Sequence, residues 1–262
     1  MYDGMSIATS ADGTAIEFSS TGNGPTVVIV NGALSRAADA APLAQALVDA
    51  GFRAVTWDRR ARGGSGDRSG STPDDEVADL AAVIDAVAGA DAVLGHSSGA
   101  VLALYAASQG VPTGTLFLSE PPIDFDGSGA QSSELAERLQ SYVDDGRPGD
   151  AIETFQLEAV GLPREMVAAG RTNGMLAALT ALAQSTVYDT RLVHRMRQPG
   201  IDLLDVGRPV IVLRGEQTFP FLIAASDWAA AHIPGAELVV VPESVMHRLD
   251  PAATARVISA RL

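Results

Sequence analysis

The chain has 262 residues, of which 47% are hydrophobic and 19% charged, the balance of a globular domain with a large core. All 18 basic side chains are arginine, 32 acids bring the formal net charge to −14, and there is no cysteine. Such an acidic surface argues against nucleic acid or anionic membrane as a partner, and the missing thiols exclude disulfides, thiolate metal sites and a cysteine nucleophile.

In chain order, Ser6 to Ser19 alternates loosely around Asp12-Gly13, which predicts a hairpin. Thr26 to Val30 (TVVIV) is a continuous apolar run, the pattern of a strand buried on both faces, and it leads into a loop at Asn31-Gly32-Ala33-Leu34. Asp39 to Ala50 reads as a helix with Leu43 and Leu47 on one face and Gly51 closing it. Phe52 to Trp57 is the next strand, followed by the glycine- and arginine-rich stretch Asp58 to Gly66. That stretch is expected to be a solvated turn in which Asp58 accepts backbone amides. Thr72-Pro73-Asp74-Asp75-Glu76 is a helix start, with a capping threonine, an early proline and acids against the helix dipole. Val77, Leu80, Ile84 and Val87 form that helix's apolar stripe, ending at Gly89.

The next stretch, Val93-Leu94-Gly95-His96-Ser97-Ser98-Gly99-Ala100, spells G-x-S-x-G between a short apolar strand and a helix (AVLALYAA). On a strand-to-helix turn of this kind a serine is exposed above the sheet, which makes Ser97 a candidate nucleophile. A phosphate-binding loop fits less well, because no lysine follows the glycines. Thr115 to Ser119 is another strand, leading into Glu120-Pro121-Pro122. From Asp124 to Val206 no strand is evident. Helices are expected around Leu135 to Tyr142, over Asp150 to Glu158, after Pro163, and around Met175, Leu179 and Leu182. Strands resume at Pro209 to Arg214 and Glu237 to Val241, separated by a helix from about Phe221 to Ala231, and Asp250-Pro251 caps a terminal helix. Strands alternating with helices predict parallel βαβ units. The domain division is therefore a core of residues 1–123 and 207–262 with a helical lid, 124–206, inserted after the sixth strand. Such a lid covers the carboxyl ends of the strands, where open α/β sheets bind ligands.

A serine hydroxyl needs a base. Of the four histidines, His96 adjoins the serine, His194 lies in the helical insert and His232 ends a helix. His247 lies in the loop after the last strand, at the same sheet edge as Ser97, in the chain order serine then histidine.

On these motifs the chain resembles the α/β-hydrolases over nearly its whole length. The matching segments are Asn31-Gly32, Asp58-Arg59-Arg60 through Gly66, Gly95 to Gly99, Arg214-Gly215-Glu216 and His247. The resemblance implies a mostly parallel eight-stranded sheet flanked by helices. It also implies an oxyanion hole from the amide of Ser98 and an amide of Gly32 or Ala33. Where many members carry histidine before that loop glycine, this chain has Asn31.

The acid departs from the common pattern. Members often place an aspartate three residues after the glycine that follows the seventh strand, and here that position holds Thr218. Three readings compete: another carboxylate serves, a Ser-His pair works alone, or the protein is a non-catalytic relative. Glu120, at the end of the sixth strand, is the preferred acid, with Glu216 read as structural. The zearalenone-lactonase group uses a glutamate there, and its layout resembles Ser98-Gly99-Ala100, Ser119-Glu120-Pro121 and Thr218-Phe219-Pro220. Phe125, Tyr142, Phe155, Tyr188, Phe219 and Phe221 are candidates for the pocket wall, with half or more expected to pack within the lid instead.

The resulting expectation is a serine hydrolase of an ester or lactone of a small, largely apolar molecule, with no metal or organic cofactor. A cofactor-free lyase or oxygenase and a ligand-binding relative are the alternatives. The first ten residues lack a basic region followed by an apolar core, and no run approaches the ~18 apolar residues of a membrane span. A cytoplasmic protein is expected, without nucleic-acid or membrane partners, and a homodimer is compatible with the sequence.

Overall fold

The computed structural model describes residues 4–127 and 132–262. Eight strands form one sheet: β1 (Ser6–Thr9), β2 (Ala15–Thr21), β3 (Thr26–Val30), β4 (Arg53–Trp57), β5 (Ala92–His96), β6 (Thr115–Ser119), β7 (Val210–Arg214) and β8 (Glu237–Val240). Their order across the sheet is β1-β2-β4-β3-β5-β6-β7-β8. Only β2 runs against the others, pairing antiparallel with both β1 and β4.

The helices are α1 (Ala41–Asp49), α2 (Pro73–Ala86), α3 (Ser98–Ser108), α4 (Ser133–Asp144), α5 (Pro148–Thr154), α6 (Arg164–Thr172), α7 (Met175–Leu179), α8 (Ala183–Arg195), α9 (Ile201–Leu204), α10 (Pro220–His232) and α11 (Pro251–Ser259). Every residue of β3 is buried, and its side chains divide strictly between two cores. Val27 and Ile29 join Leu43 and Leu47 of α1 and Ile258 of α11 on one face. Val28 and Val30 join Leu80 and Ile84 of α2 and the small side chains of α3 on the other. The period-two alternation of a strand thus supplies both faces of a covered sheet.

α2 begins as its sequence predicts. Thr72 and Asp75 cap each other, with the Asp75 carboxylate accepting the Thr72 amide at 2.8 Å and Pro73 in the first turn. Helices α4 to α9 lie between β6 and β7, within the stretch predicted to hold no strand. Residues 128–131 of that stretch lie outside the described residues. No helix among the described residues is long and apolar enough to cross a membrane.

Two predicted helices are corrected. Asp150 to Glu158 is not one α-helix, because α5 gives way at Phe155 to a π-helical turn, Phe155–Ala159. The helix around Met175 to Leu182 is a short α7 and a 3-10 turn, and the main element is the 13-residue α8 beyond it. Polar residues on its buried side obscure α8 in the sequence. Ser185, Thr186 and Thr190 are buried, each returning its hydroxyl to a carbonyl of the preceding turn at 2.7 to 2.8 Å.

Candidate active site

β3, β5 and β6 are neighbours in the sheet, and the loops from their carboxyl ends meet above it. Ser97 follows β5 with φ 54° and ψ −126°, a backbone conformation rare for a residue with a side chain. The two glycines of the motif make this turn sterically feasible. A Cβ on Gly95 would lie 2.5 Å from Ala100 Cα, and one on Gly99 would lie 2.7 Å from the Asn31 carbonyl oxygen. Gly32 of the β3 loop comes as close on the other side, since a Cβ there would be 2.9 Å from Ser97 Cβ.

His247 comes from the loop after β8. The Met246 amide donates to the Gln217 carbonyl at 2.8 Å, and both Met246 and His247 take left-handed backbone angles, φ 49° and 62°. These constraints set the ring at the mouth of β6. His247 Nδ1 lies 2.5 Å from Glu120 Oε2, and both Ser97 and His247 line one cavity.

Glu120 directly follows β6. Its amide donates to the Leu213 carbonyl at 2.8 Å, which ties it to β7. The Gly215 amide donates to Oε1 at 2.8 Å and the Thr218 hydroxyl to Oε2 at 3.0 Å. Burial pushes this carboxyl up, but the bonds from His247, Gly215 and Thr218 outweigh it and hold it below the usual carboxylate range. Glu216 is exposed and stands apart from this group.

His96 lies beside the pair. Its ring centroid is 4.5 Å from that of His247, its Nδ1 is 3.2 Å from Ser119 Oγ and its Nε2 is 3.2 Å from the His247 carbonyl. Burial, then the neighbouring His247, lower its pKa to about 3. His194 and His232 sit at the ends of α8 and α10.

Among the described residues, no acceptor takes the amide of Ala33 or Ser98. Asn31, which stands where histidine is common, donates through Nδ2 to the Arg36 carbonyl at 2.7 Å and closes its own loop.

The expectation of a solvated Asp58 to Gly66 turn is half right. Asp58 does accept the amides of Ala37 and Gly64, at 2.7 and 3.1 Å. Arg59, Arg60 and Arg62, however, are at most 2% exposed. Their partners are carboxylates from distant elements: Glu76 and Asp189 for Arg59, Asp79 for Arg60, and Asp189 for Arg62. Asp189, on α8, also lines the cavity and was not visible as a site residue. A lone carboxylate on the buried face of a helix was its one available signal.

The cavity holding Ser97 and His247 is about 50 Å³. Of the candidate wall aromatics, Phe155, Phe219 and Phe221 line it. Phe125 instead stacks on Trp228, Tyr142 lies under Arg147, and the Tyr188 hydroxyl donates to Asp67. Asp189 is its buried charged wall; burial alone would raise that carboxyl, and the guanidiniums of Arg62 and Arg59 hold it low.

Sheet order, elbow and loop positions define an α/β-hydrolase fold. The profile of the Alpha/beta hydrolase family matches residues 27–257, and the chain belongs to that family. It is 36% identical to an alpha/beta hydrolase from Sphaerobacter thermophilus DSM 20745, with a TM-score of 0.88 over 97% of this chain and 99% of that one. It shares its fold with a thermophilic esterase from Thermogutta terrifontis, at 20% identity, TM-score 0.72, and coverage of 98% and 96%. The enol-lactonase from Burkholderia xenovorans LB400 has the same fold, at 18% identity, TM-score 0.68, and 97% coverage of both chains. No curated protein matches the chain in sequence.

Proposed function

We propose that the protein is a serine hydrolase cleaving an ester or lactone bond of a small apolar molecule through an acyl-enzyme on Ser97. The observation that carries this reading is the 2.5 Å contact of His247 Nδ1 with Glu120 beside a cavity that Ser97 also lines. With Nδ1 bonded to the carboxylate, Nε2 is the ring nitrogen free to take the Ser97 proton. The imidazole becomes a cation as Ser97 attacks the carbonyl carbon, and Glu120, kept ionised by its three donors, stabilises that cation. The amides of Ser98 and of Ala33 or Gly32 take the negative charge that develops on the carbonyl oxygen. His247 then returns the proton to the leaving oxygen, and water repeats the cycle to release the acid.

Residues 124–206 serve as the lid over this centre, contributing Phe155, Val160 and Val193 to the cavity wall. The mostly apolar walls suit an uncharged acyl or lactone portion. The related folds include esterases and an enol-lactonase, which accords with either bond type.

The test is a panel of p-nitrophenyl esters and small lactones with wild-type protein and Ser97→Ala, together with fluorophosphonate labelling mapped by mass spectrometry. Hydrolysis with labelling at Ser97, and a loss of about 10⁴-fold or more in Ser97→Ala, is expected. Turnover kept within tenfold in that variant would exclude an acyl-enzyme on Ser97. Absence of any label and any turnover in the wild type would favour a binding protein.

A further inference from the structure

Three arginines follow β4 within five residues, and the proposed chemistry uses none of them. Arg60 faces away from the cavity, held by Asp79 through two bonds of 2.6 and 2.7 Å. Arg59 and Arg62 belong to another cluster. Given the hydrolase reading above, we infer that Arg59, Arg62 and Asp189 are positioning residues that set both halves of the oxyanion hole from one buried ion cluster.

The first half is the β3 loop. Arg62 Nη1 donates to the Gly32 carbonyl at 2.6 Å and to the Ser35 carbonyl at 3.3 Å. Arg59 Nη1 donates to the Asn31 carbonyl at 3.3 Å. In a trans peptide the C=O of one residue and the N–H of the next lie in one plane and point in opposite directions, and the described chain has no cis peptide bond. Holding the Gly32 oxygen against Arg62 therefore aims the Ala33 N–H the other way. Holding the Asn31 oxygen does the same for the Gly32 N–H. Carbonyl grips on the far side of the loop thus orient the donors.

The second half is the start of α3. The Ser98 hydroxyl donates to Asp189 Oδ1 at 2.7 Å and accepts from Arg59 Nη1 at 3.1 Å. Asp189 Oδ2 accepts from Arg62 at 2.7 Å. One carboxylate group therefore holds the loop through one oxygen and the elbow helix through the other. Glu76, 2.7 Å from Arg59 Nη2, is the second carboxylate of the cluster, which is shut off from solvent.

Such a cluster is a costly way to gain stability, because apolar side chains of similar volume often do as well or better. What it supplies is fixed direction, which a hole that must meet an oxyanion within a few tenths of an ångström requires. Asp189 belongs to α8, within the helical block rather than the sheet core. The hole is therefore complete only with α8 in its seat.

The test uses full-length wild type, Ser98→Ala and Asp189→Asn. Competent sites are counted by fluorophosphonate titration, then kcat and KM for p-nitrophenyl acetate are measured per titrated site. The Ki of a trifluoromethyl ketone, whose serine adduct carries the oxyanion, is measured alongside. Ser98→Ala is expected to lower kcat per site about tenfold, with KM within about twofold and Ki raised in step with the loss. Asp189→Asn is expected to lose about 10²-fold in the same pattern. A merely structural cluster would lower melting temperature and the number of titratable sites while leaving kcat per site and Ki unchanged, and that result overturns the inference. If Asp189→Asn does not fold, Ser98→Ala decides alone, since it removes one hydroxyl. A wild type without turnover or label would fell the hydrolase reading and this inference together, a result distinct from an active wild type with an unaffected Ser98→Ala.

Discussion

The hydroxyl of Thr218 donates to Glu120 Oε2 at 3.0 Å. The position where related sequences often carry the acid thus supports a carboxylate brought in from the neighbouring strand. The glutamate side chain reaches from the end of β6 to His247, and the threonine hydroxyl bonds the same oxygen that meets His247 Nδ1. If Glu120 is the acid, Glu120→Gln should lower kcat by roughly 10²–10⁴-fold with little change in KM. Thr218→Val removes one donor to that carboxylate and should cost about tenfold. Glu216→Gln should be near wild type. Steady-state kinetics of the three variants decide it, and a collapse in Glu216→Gln with Glu120→Gln unimpaired would move the role.

His96 should make the fold sensitive to mild acid. Its pKa falls from 6.5 to about 3 in the folded protein, so between those values the unfolded chain binds a proton that the native chain refuses. Stability contributed by this group is full above pH 6.5 and declines as pH falls, by about 1.4 kcal/mol per pH unit. Glu120 adds a loss of the same sign only below its ordinary value of 4.5, because its folded pKa is depressed. Urea midpoints of wild type and His96→Phe at intervals from pH 7 to about 4.5 isolate the histidine. The variant should show a flatter decline, and identical slopes would remove His96 from the acid response.

Arg60 and Asp79 form a buried pair whose role is to join the exit of β4 to α2. Neither side chain has any solvent exposure, 0% for each, and Arg60 Nη2 also donates to the Asp75 carbonyl at 3.2 Å. Asp79→Ala leaves a buried guanidinium without its main partner and should destabilise by about 3–5 kcal/mol. Neither residue lines the cavity, so kcat per titrated site should stay within about twofold. Denaturant unfolding and active-site titration measure the two effects separately. A stable Asp79→Ala protein with reduced kcat per site would show that the pair acts on the chemistry instead.

The elbow tolerates no side chain at its last glycine. Gly99→Ala places a methyl against the carbonyl oxygens of Val30 and Asn31, both main-chain atoms of the β3 exit. Neither can move without disturbing the sheet centre, so the variant should be insoluble or should lose fluorophosphonate labelling at Ser97 altogether. Soluble expression with wild-type labelling rate would contradict this account of the motif.

Much of this protein was written in local patterns. The apolar run of β3, the Thr72-Pro73 helix start and the glycines around Ser97 each act over a few residues, where sterics and capping leave little choice. The strand-helix alternation then placed Ser97, Glu120 and His247 at one edge of a sheet, because every parallel strand presents its carboxyl end there. The tertiary structure alone decided which charges meet. Arg59 and Asp189 are 130 residues apart, and the aspartate lies on a helix whose buried hydroxyls hid its periodicity. The tilted ring contact of His96 with His247 and the bond from Thr218 to Glu120 depend likewise on how loops from different strands come together. Propensity and spacing act along the chain, whereas a buried charge is stable only where a partner arrives from elsewhere in the fold.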